Sequence, residues 1–305
     1  MSRFLFTILG AIVLIQCSGS EPVSKQETVP FLGRWNVAVS QGDEAYPLWF
    51  ELEQVEDSLQ GRFQPRGGHS RPLESLTVDG DRIQFSCCGF ELRGRRSGES
   101  LEGTGRARDE AFSWKAQAAP ELPARSDLEW GEPVDLLAAG IDGWKAHSGD
   151  AATWELTDGV LVNSGRGANI YTTGNFKDFK LHIEVNCPEG SNSGIYLRGR
   201  YEIQVQDDYG KPPHSRHMGG IYGYVTPSRN TARPAGEWQE IDVTLNGRWV
   251  TLVLNGETVI DQQEIPGITG GALDSKEAEP GPIYLQGDHG AVSYRNIVLT
   301  PAVEM

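Results

Sequence analysis

The stretch Asn192–Asp207, NSGIYLRGRYEIQVQD, contains two short runs in which apolar and polar residues alternate. This alternation is the period of a strand with one buried face. One face carries aliphatic side chains, namely Ile195, Leu197, Ile203 and Val205. The other carries long hydrogen-bonding side chains of both charges, namely Tyr196, Arg198, Glu202, Gln204 and Gln206. Such a face suits a sugar-binding groove, with donors and acceptors for hydroxyls and a carboxylate for proton transfer; an ordinary solvated sheet face is the alternative.

The two runs predict a β-hairpin whose loop has an odd number of residues. A two-residue loop would place Leu197 opposite Glu202 and mix apolar and polar side chains on one face. We therefore expect a three-residue loop, Gly199 to Tyr201, with Arg198 opposite Glu202 and Tyr196 opposite Gln204.

Composition indicates an all-β protein. The chain of 305 residues contains 37 Gly and 17 Pro, and many short Val, Ile, Tyr and Trp runs are separated by turn residues. Asp158-Gly159, Asn246-Gly247 and Asn255-Gly256 are typical of tight hairpin turns. The net charge of −15 argues against binding of nucleic acid or anionic lipid through bulk electrostatics and fits neutral or cationic ligands.

The N-terminus is expected to be a targeting segment. Arg3 precedes a short apolar run, Phe4 to Ile15, which is too short to span a membrane. Leu14-Ile15-Gln16-Cys17 resembles a bacterial lipoprotein box, so residues 1–17 are assigned to a signal peptide with lipidation at Cys17. Gln16 departs from the small residue of that pattern, which leaves simple cleavage and secretion as the alternative. Either way we expect export, to the periplasm or cell envelope in the lipoprotein case, with residues 18–30 as a polar tether.

The rest of the chain divides into two expected domains. Residues 31–117 are predicted to form a small antiparallel β-meander or β-barrel-like domain. A barrel is expected because closing the sheet on itself protects the edges of such short strands. Residues 118–133 are rich in Pro and polar residues and are expected to form a linker. Residues 134–305 contain about a dozen predicted strands, enough for two packed sheets. The two domains are expected to have separate cores, so that the second folds and acts without the first.

A series of motifs in residues 134–305 resembles the 3-keto-disaccharide hydrolase family. These motifs are Asp142-Gly143-Trp144, Asp178–Glu184 (DFKLHIE), Asn192–Arg198 (NSGIYLR), Tyr201–Asp207 (YEIQVQD), Gly219–Tyr222 (GGIY), Pro234–Trp238 (PAGEW), Leu254-Asn255-Gly256, Gly281–Gly290 (GPIYLQGDHG) and Tyr294–Ile297 (YRNI). The resemblance implies a concanavalin A-like jelly-roll β-sandwich. It also implies an exported hydrolase that cleaves 3-keto-glycosides or 3-keto-disaccharides, with an oxidised glycoside as substrate and an upstream sugar oxidase as a partner.

The chemistry of a 3-keto sugar suggests which residues act. The C3 ketone makes the C2 hydrogen acidic, so a base can form an enolate that expels the C1 substituent, after which water adds back. The candidate catalytic residues are Glu202, Asp207, His289 and His217. Arg198 is a candidate base partner or enolate clamp. The candidate substrate-binding residues are Asn192, Tyr196, Arg198, Gln204, Tyr222, Gln286 and Glu184.

We expect the polar face of the hairpin and the loop Gly287–Gly290 to meet in one pocket, with Glu202 solvated in a groove. The run Glu202-x-Gln204-x-x-Asp207 also resembles the carboxylate motif of laminarinase-like glycosidases. Asp207 has the wrong strand parity for that mechanism unless a bulge intervenes. The same architecture also serves non-catalytic carbohydrate-binding modules, and a surface scaffold is a third function that the sequence allows.

No cofactor is required by the sequence. The loop residues Asp207, Asp208 and Asp288 are hard oxygen ligands, so a divalent cation such as calcium is a possible addition. No nucleic-acid partner is expected, and contact with a membrane is expected only through the N-terminal lipid.

Overall fold

The computed structural model describes residues 31–148 and 153–303. The expected signal peptide, the lipidation site Cys17 and the tether lie outside these residues. From Phe31 onward the chain forms one compact unit. Within the described ranges, no helix has the length and apolar character that a membrane span requires.

The first part of the unit is one nine-stranded antiparallel sheet, which we call the first sheet. Its strands are β1 (Gly33–Gln41), β2 (Glu44–Val55), β3 (Ser58–Gln64), β4 (Arg71–Pro72), β5 (Ser75–Asp79), β6 (Arg82–Cys87), β7 (Phe90–Ser97), β8 (Ser100–Ala107) and β9 (Glu110–Ala118). The spatial order is β4-β3-β2-β1-β9-β8-β7-β6-β5. In β9, buried Phe112, Trp114 and Ala116 alternate with exposed Ser113 and Lys115. One face thus encloses an aromatic core and the sheet curls into a half-barrel.

The second part is a β-sandwich, in agreement with the expected jelly-roll class. Its strands are β10 (Val134–Asp135), β11 (Trp144–Ser148), β12 (Trp154–Thr157), β13 (Val160–Asn163), β14 (Asn169–Thr172), β15 (Phe179–Asn186), β16 (Asn192–Leu197), β17 (Tyr201–Gln206), β18 (Trp238–Asn246), β19 (Trp249–Leu254), β20 (Glu257–Glu264), β21 (Tyr284–Leu285) and β22 (Val292–Pro301), with a 3₁₀ turn at Gly140–Gly143. A five-stranded sheet, β11-β14-β21-β16-β17, faces an eight-stranded sheet, β12-β13-β22-β15-β18-β19-β20, in which β10 also pairs with β22.

The expected linker lies against the sandwich. Arg125 exchanges two hydrogen bonds of 2.8 Å with the Asn246 side chain, and the Gly131 amide donates to the Pro301 carbonyl at 2.9 Å. Residues 220–224 fold back on themselves through turns and pair through single bridges at Ile221.

The first sheet and the sandwich share a buried polar interface. Glu277 of the sandwich is fully buried, and its carboxylate accepts hydrogen bonds from Arg34 (2.6 Å), Asn36 (2.8 Å) and Tyr201 (2.9 Å). Trp49 of β2 packs in the sandwich core and donates from Nε1 to the Ile268 carbonyl at 2.9 Å. Removal of one member of a buried ion pair costs about 3–5 kcal/mol. The expectation that the sandwich folds and acts without the first sheet is therefore not favoured by these contacts.

Candidate active site

A small cavity of about 190 Å³ lies on the face of the five-stranded sheet that points away from the sandwich core. Its lining contains seven of the residues expected from the sequence, namely Asn192, Tyr196, Glu202, Gln204, Tyr222, Gln286 and His289. The polar face of the hairpin and the Gly287–Gly290 loop thus meet in one pocket, although Arg198, which was expected there too, does not line it.

The hairpin register explains which side chains reach the cavity. The loop has three residues, as expected, but they are Arg198, Gly199 and Arg200, so that Tyr196 pairs with Glu202 and Gly194 with Gln204. The predicted pairing of Arg198 with Glu202 is wrong. Arg198 and Gly199 adopt left-handed backbone angles, with φ of 54° and 66°, and the turn therefore begins one residue earlier than expected.

Glycine makes room for the acidic group at the centre of the site. A Cβ atom at Gly194 would lie 2.5 Å from Glu202 Oε1, and one at Gly271 would lie 2.5 Å from the Tyr196 hydroxyl. Any larger residue at either position would displace these side chains. The Tyr196 hydroxyl donates to the Gly270 carbonyl at 3.0 Å, which fixes the phenol beside Glu202.

Glu202 is buried rather than solvated, with 4% of its surface exposed. Burial raises the pKa of its carboxyl to about 8; a hydrogen bond with Tyr196 opposes this shift, and the negative charge of Asp288 adds to it. The expectation of a solvated groove carboxylate is wrong, because loops from remote parts of the chain cover the hairpin. At neutral pH most Glu202 side chains are therefore protonated and can donate a proton.

The second titratable group is a carboxylate–imidazole pair on the loop after β21. His289 Nδ1 lies 2.6 Å from Asp288 Oδ1. This hydrogen bond raises the pKa of His289, and partial burial opposes the shift. Partial burial acts to raise the pKa of Asp288, but the hydrogen bonds with His289 and Asn169 and the positive charge of His289 together outweigh it, and the net pKa is lowered. With Nδ1 held by Asp288, Nε2 is the nitrogen free to exchange a proton with a ligand.

Asparagine side chains hold this loop in place. Asn169 Oδ1 accepts from the amides of Gly287 (2.7 Å) and Asp288 (3.2 Å). Asn163 Nδ2 donates to the carbonyls of Gly287 (2.9 Å) and Gly290 (3.0 Å). The His289 ring is thus attached to a loop that is anchored to one strand of each sheet, β13 and β14. Such anchoring gives the fixed geometry that acid–base chemistry requires.

The first sheet supplies part of the cavity wall. Gly67 and Gly68, in the loop between β3 and β4, line the cavity opposite the hairpin. The loop is held by a hydrogen bond of 2.8 Å from the Gly271 amide to the Arg66 carbonyl. Gln64 Nε2 also donates to the Gly68 carbonyl at 3.0 Å. The site is therefore a composite of the first sheet and the sandwich.

Two charged candidates lie elsewhere in the fold. The Arg198 guanidinium turns to the core side of the hairpin, where it lies 5.2 Å from the Tyr201 ring centroid and donates to the carbonyls of Glu277 and Gly247. Glu184 lies on the eight-stranded sheet and accepts from Arg295 at 2.6 and 2.8 Å. Their expected roles in substrate binding are corrected, because both side chains are committed to structural partners outside the cavity.

Asp207 and His217 also lie outside the cavity lining. Asp207 follows β17 and accepts from the Gly190 amide at 3.2 Å. His217 Nδ1 lies 2.9 Å from the Pro212 carbonyl, and its ring is 5.2 Å from that of His214. The structure therefore does not bring these two candidates together with Glu202. For Asp207 the reason is that β17 ends at Gln206, so this residue no longer belongs to the strand.

The calcium candidates do not converge. Asp208 is buried against Lys211 at 2.7 Å and the Met218 amide at 3.0 Å, Asp207 caps Gly190, and Asp288 holds His289. Among residues 31–148 and 153–303, no group of three or more His, Cys, Asp or Glu side chains is placed to hold a metal ion. As arranged, this donor set does not fit a calcium site.

Several cavity residues are not identified by the sequence pattern. The pattern suggests Asp288 only as a metal ligand, although its position next to His289 is a usable signal for an acid–base pair. Tyr284, Asn169, Gly270 and Gly271 also line the cavity. Tyr284 packs against Tyr196, with 4.8 Å between the ring centroids. The glycine loops carry no pattern that distinguishes them from other turns, and only the tertiary structure reveals their position.

Known proteins that are similar to this chain include one curated hydrolase and several solved structures. The curated 3-keto-disaccharide hydrolase of Bacteroides thetaiotaomicron is 22% identical over 158 residues, which cover 40% of this chain and 54% of that protein. The chain thus spans about half the length of this relative. Two candidate glycosyl hydrolases of Parabacteroides distasonis are similar in structure. One is 29% identical, covering 59% of this chain and 93% of its own, with a TM-score of 0.48. The other is 24% identical, covering 55% and 98%, with a TM-score of 0.44.

The family match covers more than half of the chain. It extends over residues 134–300 and includes both the hairpin and the Gly287–Gly290 loop, whereas the first sheet lies outside it. The chain therefore belongs to the family of 3-keto-alpha-glucoside-1,2-lyase-like domains.

Proposed function

We propose that this protein cleaves 3-keto-glycosides by removal of the C2 proton, elimination of the C1 substituent and hydration of the product. The observation that carries the proposal is the cavity itself. It combines a buried carboxyl with a pKa of about 8 and an imidazole held by a carboxylate. Two titratable groups whose environments differ in this way are the signature of an acid–base pair.

The environments assign a role to each group. In its neutral form the Asp288-bound His289 can take the C2 proton of the substrate through Nε2. The electrons form the C2–C3 enolate, which then expels the oxygen at C1. Protonated Glu202 donates its proton to that leaving oxygen. This assignment differs from the base role that the sequence suggested for Glu202, because burial favours the neutral carboxyl.

Hydration runs the same proton transfers in reverse. The elimination leaves a C1=C2 double bond conjugated with the C3 ketone, together with an ionised Glu202 and a protonated His289. Glu202 takes a proton from the water that adds to C1, and His289 returns a proton to C2. The net reaction consumes one water molecule and restores both side chains.

The neutral polar side chains supply the hydrogen bonds that a sugar needs. Asn192, Gln286 and Tyr222 line the cavity with amide and phenol groups. Gln204 Nε2 donates to Gln206 Oε1 at 2.9 Å, which orients its amide along the hairpin. We propose that these groups bind the sugar hydroxyls and that some of them stabilise the enolate oxygen. The two-carboxylate glycosidase mechanism is not favoured, since Asp207 lies outside the cavity.

The experiment that tests this function uses a pair of 3-keto-glucosides that differ in their leaving group. We expect release of the aglycone from p-nitrophenyl 3-keto-glucoside and methyl 3-keto-glucoside, and incorporation of deuterium at C2 when the reaction runs in D₂O. The matching glucosides with a C3 hydroxyl should not react. Cleavage without deuterium at C2, or equal cleavage of the unoxidised glucosides, contradicts the elimination mechanism.

The Glu202→Gln variant separates the acid role from the base role. An acid is needed most for a poor leaving group, so the variant should lose roughly a hundredfold or more with methyl 3-keto-glucoside and much less with the p-nitrophenyl compound. An equal loss with both substrates indicates that Glu202 is the base. Asp207→Asn is the matched control, and it should retain activity with both.

We also propose export as a lipoprotein, on the strength of the N-terminal sequence. Metabolic labelling with a radioactive fatty acid should mark the full-length chain, and Cys17→Ser should abolish the label. Cleavage without labelling favours the secreted form.

A further inference from the structure

We propose that the outward face of the first sheet binds an acidic oligosaccharide, a glycan chain that carries carboxylate or sulfate groups. A groove of about 610 Å³ crosses β6, β7, β8, β9 and β1 on this face. It is lined by basic side chains, namely Arg82, Arg93, Arg95 and Lys115, and by a single carboxylate, Glu102. A locally positive groove stands out on a chain whose net charge is −15.

The register of the strands places these charges in rows across the sheet. Arg82 pairs with Arg95, Arg95 with Glu102, and Glu102 with Lys115. Arg93 lies in the neighbouring row, between Gln84 and Thr104. Like charges directly opposite each other, as at Arg82 and Arg95, destabilise a sheet. Asp79 and Glu102 lie opposite these two arginines on their other sides, and an anionic ligand bound at the arginines would relieve the repulsion between them.

Most of the positive charge in the groove is uncompensated. Glu102 lies 3.0 Å from Arg95 and forms an exposed ion pair with it. In the part of the chain that the structure describes, Arg82, Arg93 and Lys115 form no ion pair or side-chain hydrogen bond. Their guanidinium and ammonium groups are free to bind carboxylates or sulfates, and arginine is suited to bidentate contacts.

The shape of the groove indicates a chain rather than a small anion. A second cavity of about 460 Å³ shares Ala38 and Lys115 with it and continues toward the sandwich residues 275–279. Adjacent strands lie about 4.8 Å apart, so a groove that crosses five strands extends roughly 19 Å. A single phosphate or sulfate would occupy a small part of this length.

The floor of the groove distinguishes a glycan from a nucleic acid. Gly94 lies opposite Gly103, and the Trp114 ring packs against these two backbones with only 2% of its surface exposed. The groove therefore offers no exposed aromatic ring on which a base could stack. The dense phosphate charge of duplex DNA would also be repelled by the acidic remainder of the protein, whereas a uronate glycan with one carboxylate per sugar carries fewer charges per unit length.

The groove is separate from the cavity that holds Glu202. The two share no lining residue, and the first sheet contributes Gly67 and Gly68 to the cavity but none of its outward basic side chains. Binding in the groove therefore does not depend on the proposed reaction. Its function would be to hold the protein on an acidic polysaccharide.

The test measures binding of polygalacturonate and of dextran sulfate to the full chain by calorimetry, with neutral dextran and double-stranded DNA as comparison ligands. We expect binding of one or both acidic polymers that weakens with added salt. The double variant Arg93→Gln/Lys115→Gln should raise the Kd on the order of tenfold or more. The control is Arg229→Gln/Lys145→Gln, which removes the same charge from exposed positions outside the groove and should leave the Kd unchanged.

Four outcomes overturn the proposal. They are no binding of either polymer, an equal loss in both double variants, tighter binding of DNA than of the glycans, and equal competition by inorganic phosphate. Melting temperatures of the two double variants should match that of the wild type, which excludes unfolding as the cause of a loss. The preference between polygalacturonate and dextran sulfate identifies the acidic group that is recognised.

Discussion

Replacement of Glu202 by Gln should stabilise the protein at alkaline pH as well as remove its acid. The folded-state pKa of this carboxyl is about 8, against an ordinary value of 4.5. A group with a raised pKa binds its proton more tightly in the folded state than in the unfolded state. Folding stability therefore falls as the pH rises from about 4.5 to about 8.

The magnitude follows from the same two values. Each pKa unit corresponds to about 1.4 kcal/mol, so an ionisable Glu202 costs on the order of 5 kcal/mol above pH 8 and almost nothing below pH 4.5. Gln keeps the size and hydrogen-bonding capacity of the side chain but carries no charge. Relative to the wild type, Glu202→Gln should be nearly neutral at pH 4.5 and more stable by several kcal/mol at pH 8.5.

Urea denaturation at a series of pH values measures this difference, since groups common to both proteins cancel in the comparison. Glu237→Gln is the control, because it makes the same chemical change at an exposed carboxylate and should not alter the pH dependence. Parallel stability curves for the wild type and Glu202→Gln between pH 5 and 8 would refute the claim that burial holds this carboxyl neutral.

Three further predictions concern the remaining parts of the site. Asp288→Asn should lower kcat roughly a hundredfold. It should also move the acidic limb of the pH–rate profile to lower pH, because the hydrogen bond and charge of Asp288 that raise the pKa of His289 are lost. An unchanged limb would exclude His289 as the titrating base. Gly67 lines the cavity and has open space at its Cβ position without a left-handed backbone angle. Gly67→Trp should therefore fold, and it should raise KM several-fold for a 3-keto-disaccharide but less for methyl 3-keto-glucoside. Gly67→Ala is the control and should leave KM nearly unchanged. Equal effects of Gly67→Trp on both substrates would contradict the claim that this residue forms part of the cavity wall. A chain lacking residues 31–133 should fail to fold, because Glu277 would lose Arg34 and Asn36 and keep only Tyr201 as a side-chain partner, at a cost of about 3–5 kcal/mol. A soluble product with a cooperative melting transition would show that the interface is dispensable.

The sequence predicted the faces of the central hairpin because alternation is a local property. Ile195 and Ile203 are buried in the core, while Tyr196 and Gln204 face the cavity. The position of Arg198 could not be predicted in the same way, since it depends on which residue adopts the left-handed turn angle. A pattern that sets the parity of a hairpin does not fix where its turn begins.

The electrostatics of the site depend on contacts that the local sequence does not contain. The burial of Glu202 comes from segments distant in the chain, including the loops at Gly68 and Gly271. Glycine loops of this kind carry no signal of what they cover. Asp288 and His289, by contrast, are neighbours in the sequence, so the hydrogen bond between them is the one electrostatic feature of the site that a local pattern could indicate.

The buried carboxylate of Glu277 has a consequence for how this two-part arrangement can be inherited. Because its partners Arg34 and Asn36 belong to the first sheet, the sandwich cannot be exchanged between proteins as a free-standing module without a change at this position. A lineage that lost the first sheet would have to replace the acid with a neutral or apolar residue. The residue at this one position should therefore sort members of the family by whether they possess such a sheet.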